Sequence, residues 1–188
     1  LIGEDGAIEL RRGGPSIEPF VLDNGRLVTW ADVNVTQSLR DDDLPIPSVT
    51  WTSDGWTLTT TAFADGTPQT AQLYGRYVLT NTSSRAQTLT LALMARPYQV
   101  NGPRQFLTTP GGVGPINRLH WTGSALALNG DLGVRPVVAP DGIALSGFQA
   151  GGDPRVDRTE ARRDPLHAPV EQLFERGDHH REQGEIRP

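Results

Sequence analysis

A chain of 188 residues is long enough for a single domain with a true core, since domains of this size bury roughly 70% of the surface that the unfolded chain exposes. Apolar residues make up 36% and aromatic residues 6%, while Gly 21 and Pro 15 approach a fifth of the sequence, a balance of short strands and turns that leaves little room for long helices. All 17 basic residues are Arg, Cys is absent and the net charge is -5, which excludes lysine and thiolate chemistry and disulfides, and disfavours nucleic acid because no basic stripe is concentrated anywhere.

The N-terminal "LIGEDGAIEL" has neither the basic nor the apolar region of a signal peptide and does not begin with Met. With a charged C-terminus, this suggests a piece of a longer polypeptide. No run reaches the roughly 18 apolar residues of a membrane span, so no membrane partner is expected, and nothing in the segment fixes a compartment.

The turn Asp23-Asn24-Gly25 precedes strand candidates at 25–30 and 33–39. After Asp41-Asp42-Asp43, the stretch "SVTWTSDGWTLTTTAFA" splits at Asp54-Gly55 into strands at 49–52 and 56–64; the Thr-rich second arm suits a half-buried pleated surface. Strands at 73–80 and 87–96 flank "NTSSRAQ" and are predicted to form an antiparallel hairpin. In the second of these, Leu89, Leu91, Leu93 and Ala95 point one way and Thr88, Thr90, Ala92 and Met94 the other.

That strand runs into "RPYQVNGPRQF", a crowd of polar groups at one end of a sheet, and then into the loop "TTPGGVGPIN". Weaker strands follow at 118–121, 125–128, 135–138 and 143–148. The spacing predicts a mostly β protein, an antiparallel β-sandwich over 1–150. Residues 151–188 read as a linker with a short helix at 170–176, where Val170, Leu173 and Phe174 share a face and Gly177 is the stop, followed by a charged tail too poor in apolar residues to order itself.

Few constellations point to chemistry. Asp41, Asp42 and Asp43 lack the spacing of a calcium loop and read as a solvated turn. His167, His179 and His180 have no helical metal-ligand spacing, and His120 reads as a packed or edge residue, so no metal and no cofactor are expected. "TPGGVG" lacks the ending of a phosphate loop and reads as a turn needing unusual backbone angles. Trp30, Trp51, Trp56 and Trp121 lie in or beside strands, where core packing is commoner than stacking on a sugar.

The passages "AIELRRGGPSIEPF", "GRLVTWADVNVTQSL", "DLPIPSVTW", "TTTAFA", "ALMARPYQVNGPRQF" and "TPGGVGPI" together resemble the N-terminal β-domain of large bacterial proteins in which a β-supersandwich precedes an (α/α)6 six-hairpin glycosidase-like domain. Some relatives in that group are labelled discoidin, or coagulation factor 5/8 type C, domain proteins. The resemblance spans about residues 5–150 and implies that any catalytic carboxylates lie on the helical domain, with the β-domain packing on it. The implied partner is a downstream helical domain of the same polypeptide.

The expectation is a non-catalytic sandwich module of a carbohydrate-active protein, serving domain packing and contributing to a sugar site. Arg96, Tyr98, Asn101, Arg104, Gln105 and Trp121 are the candidates, because planar amide and guanidinium groups beside an aromatic ring match the hydroxyl edges and apolar faces of a sugar. The same groups would serve equally as an inter-domain hydrogen-bonding edge. Two alternatives stay open: a glycoside hydrolase using carboxylates such as Asp32, Asp41 and Asp43, and a plain immunoglobulin-like interaction module.

Overall fold

The computed structural model describes residues 1–67, 69–100, 112–146 and 183–187. It is a β-sandwich. One sheet has β2 (Ser16–Asp23) at its centre, with β8 (Leu89–Arg96) on one side and both β1 (Ile8–Glu9) and β3 (Arg26–Val28) on the other. The second sheet runs in the order β4 (Asn34–Arg40), β5 (Leu44–Ser53), β6 (Trp56–Asp65), β7 (Gln72–Asn81), β12 (Gln183–Arg187), β11 (Leu132–Pro136), β10 (Leu126–Leu128) and β9 (Leu119–Trp121). Every pairing is antiparallel.

Period-two alternation builds the core between the sheets. Val49, Trp51, Trp56, Leu58, Ala62, Tyr77 and Leu79 of the larger sheet meet Ile8, Ile17, Val21 and Val28 of the smaller one, and Leu89, Leu91, Leu93 and Ala95 of β8 pack against this cluster. The alternation predicted for β8 therefore faces the way the sequence indicates. The two fully buried indoles also find partners for their N–H groups: Trp51 Nε1 donates to the Asp5 carbonyl at 2.9 Å, and Trp56 Nε1 donates to Asp23 Oδ2 at 3.1 Å. Each bond reaches from the larger sheet to the smaller one or its leading loop, so it avoids the penalty of an orphaned buried donor and ties the layers together.

The expected hairpin between 73–80 and 87–96 does not form. β7 pairs with β6 and β12, whereas β8 crosses to the other sheet and pairs with β2 along its whole length, from Ser16↔Arg96 to Asp23↔Leu89. The reason is that "NTSSRAQ" is a corner connection, not a tight turn: Asn81 accepts from Ser83 N and its amide donates to the Arg85 carbonyl, while Ser83 N bonds back to the Gly55 carbonyl.

β2 itself carries little strand signal, because Glu18 and Pro19 interrupt an otherwise apolar run. Its ladder with β1 ends at Ile17 and its ladder with β3 begins at Val21, so Pro19 sits where β2 is paired on one side only. A residue without an N–H costs least there. The strand expected at 143–148 is also absent over 143–146, where Ile143 and Leu145 are exposed and no strand among the described residues pairs with them. Of the segment read as linker, helix and tail, only Gln183–Arg187 is described, as β12 between β7 and β11; the helix predicted at 170–176 lies outside the described residues.

Candidate functional site

The polar crowd after β8 is a corner where three pieces of chain meet: the β1–β2 connection, residues 96–100 and residues 112–114. Arg96 is the last residue of β8 and is directly opposite Ser16, so its side chain rises on the same face of the sheet as Glu18, two residues along β2. Arg96 Nη1 donates to Glu18 Oε2 at 2.6 Å, with side-chain exposures of only 9% and 11%. Ser16 Oγ donates to the other carboxylate oxygen at 3.3 Å. The guanidinium carbon also lies 4.6 Å from the centroid of the Tyr98 ring, a cation–π contact shielded from water.

Gln99 acts as a complete amide clamp. Its Nε2 donates to the carbonyls of Val113 at 2.6 Å and Gly13 at 3.2 Å, and its Oε1 accepts from Gly112 N at 3.2 Å. Glu9, buried on β1, spreads its two oxygens the same way: Oε1 accepts from Gly13 N at 2.6 Å and Oε2 from Val100 N at 3.1 Å. Backbone bonds from Gly114 N to the Pro97 carbonyl and from Gln99 N to the Gly112 carbonyl close the corner. Gly112 has a φ of +90°, in keeping with a loop that needs glycine.

Arg96 and Tyr98, predicted as ligand contacts, are thus placed together but engaged within the fold. Trp121 lies half-buried on β9, in the other sheet. Asn101, Arg104 and Gln105 lie outside the described residues, as do His167, His179 and His180. Glu9 and Glu18 escape a reading by composition; the available signal was an acidic residue inside an apolar stretch, which demands a buried partner.

Of the carboxylates considered for acid/base work, Asp32 serves the backbone. Asp32 caps the short 3-10 turn Trp30–Asp32, accepting from Thr29 N at 2.9 Å and Thr29 Oγ1 at 3.0 Å, with Arg26 3.8 Å away. Asp41 and Asp42 form the exposed tip of the β4–β5 hairpin, with φ values of +52° and +66° that suit a tight hairpin turn. Because β4 separates them, Asp32 and Asp41 stand about 20 Å apart, well beyond the roughly 5–9.5 Å that a glycosidase pair requires. Among the described residues no group of three or more His, Cys, Asp or Glu is placed to hold a metal ion.

Comparison of the chain with family models, curated proteins and solved structures finds no match.

Proposed function

We propose that the chain is a non-catalytic β-sandwich module of a larger carbohydrate-active protein and that it works by packing against a further domain of that protein, a helical six-hairpin domain in keeping with the sequence resemblance. The supporting observation is the stretch leaving β11. Val137, Val138, Ile143 and Leu145 are 49%, 55%, 38% and 45% exposed, so four of the ten exposed large apolar side chains among the described residues fall within nine consecutive positions. Scattered exposed apolar residues are ordinary, but a contiguous tract marks a surface that another body covers.

The polar corner fits this role as a rigid support. Its charged and amide groups hold three loops in one geometry, which keeps a neighbouring surface fixed without requiring a ligand. A test is the double substitution Val137→Asp with Val138→Asp. An interface tract takes it with a change of no more than about 0.5 kcal/mol in stability, since both residues are about half exposed and lie outside the sheets, and the variant loses binding of a hydrophobic dye. A loss of several kcal/mol would mean that the tract belongs to the sandwich core, and the proposal would fail.

A further inference from the structure

The larger sheet ends at β4, which pairs with β5 on one side and with no strand among the described residues on the other. Six of its seven residues are exposed and only Val35 is half-buried, so this edge stands open to solvent. An open edge presents a row of N–H and C=O groups that can pair with another strand, and proteins ordinarily blunt it with charge, Pro or a bulge. β4 contains no Pro, and its one charged residue, Arg40, and its one irregularity, between Leu39 and Arg40, both fall at the last position. Asn34 to Leu39 is left as a regular, uncharged edge.

Register sets what the edge shows on each side. Val35, Gln37 and Leu39 are opposite Trp51, Val49 and Pro47, so they share the face that looks toward the smaller sheet. Val35 packs against the core, but Gln37 is exposed and Leu39 is 44% exposed, so the larger sheet overhangs the smaller one here. On the other face Thr36 and Ser38 continue two rows that run across β5 and β6, Thr36 with Thr50 and Thr59, and Ser38 with Ser48 and Thr61. Within these rows the hydroxyls of Thr50 and Thr59 lie 3.1 Å apart and those of Ser48 and Thr61 2.7 Å apart.

We propose that β4 pairs with β4 of a second copy of this chain, antiparallel about a two-fold axis through Gln37, which joins the two larger sheets into one. Gln37 is the middle residue of the strand, and with it opposite its own copy all seven residues stay in register: Thr36 meets Ser38, Val35 meets Leu39 and Asn34 meets Arg40. The pairs are self-complementary. Thr36 with Ser38 repeats the hydroxyl pairs that already join β5 to β6, and Val35 covers the exposed Leu39 on the overhang. The ends agree as well, since Trp30, 45% exposed just before β4, comes to the end where the other copy carries exposed Leu39 and Leu44. Asp41, Asp42 and Asp43 of the two copies stand at opposite ends of the joint, about 20 Å apart, each set toward the end that holds Arg26 and Asp32 of the other copy. A parallel pairing would instead crowd both acidic tips together, which is why the antiparallel arrangement is the one favoured. One strand edge with its flanking residues makes a small interface, so the dimer is a weak one.

The test is sedimentation equilibrium of the whole chain, for the native protein, Gln37→Lys, Gln37→Glu and an equimolar mixture of the two variants, with thermal melts as a folding control that exposed Gln37 should leave unchanged. The native chain is expected to pass from monomer to dimer between about 1 μM and 1 mM. Residue 37 meets itself across the axis, so each variant alone opposes like charges and associates about tenfold or more weakly, while the mixture opposes unlike charges and regains the native association. The double substitution Val137→Asp with Val138→Asp leaves the dimer intact, because that tract leaves β11, toward the other end of the strand order. A native chain that stays monomeric over this range, variants that dimerise as the native chain does, or a mixture that fails to regain association would overturn the proposal. So would loss of the dimer in the Val137 double variant, which would place the interface on that tract. Failure of the β4 pairing leaves the packing proposal to its own dye-binding and stability test.

Discussion

Removing Glu18 tests how the corner is held. In Glu18→Ala the Arg96 guanidinium stays in a site where its side chain is 9% exposed and loses a 2.6 Å charge-assisted bond. Breaking a buried ion pair from one side costs about 3–5 kcal/mol, chiefly from the uncompensated charge. For a chain of this length each kcal/mol corresponds to about 2–4 °C in Tm, so a fall of about 6–20 °C is expected by calorimetry. Arg96→Met should cost a similar amount by stranding Glu18. The double variant Glu18→Leu with Arg96→Met should recover much of the loss, because neither charge is then buried. Single variants that each cost under about 1 kcal/mol, with additive effects in the double variant, would refute the buried-pair account and place both groups in water.

Three further outcomes follow from the same contacts. Gly114→Ala should fold poorly or not at all, because a Cβ there overlaps the backbone of Gly14 and Pro15, and a chemical melt against wild type checks this. Tyr77→Phe should raise stability by about 1 kcal/mol in a urea titration, since the Tyr77 hydroxyl is fully buried, has no hydrogen-bond partner among the described residues, and burial alone pushes its ionisation up. The hydrogen bond from Arg11 holds the exposed Asp131 carboxyl below its usual range, so its folded pKa is depressed. Its contribution is present above the unfolded carboxylate value and is lost as pH falls through the folded one; NMR titration should show Arg11→Ala returning Asp131 upward.

The sequence reveals most where alternation is clean. β6, β7 and β8 lie where period-two patterning puts them, because a row of apolar side chains at alternate positions on each faces the core. Pairing is less legible. β7 and β8 look like a hairpin from their separation alone, but β8 is completed by β2, whose Glu18 and Pro19 mask it as a strand. The same Glu18 is the partner that engages Arg96, so a reading that misses β2 also misses that ion pair. Long-range register decides both, and a local pattern does not contain it. The Thr-rich arm shows the reverse: it is plain in the sequence, but only the register Thr50↔Thr59 and Ser48↔Thr61 pairs its hydroxyls across strands.

The packing proposal is tested most directly by hydrogen exchange at residues 137–145, measured in this chain alone and again in the full polypeptide encoded by its native gene. In the isolated chain these amides should exchange fast, as expected for an exposed tract outside the sheets. In the full polypeptide they should slow by about a hundredfold or more, while amides of β5 and β6 stay as protected as before. Equal exchange of residues 137–145 in the two contexts would contradict the claim that another domain packs there.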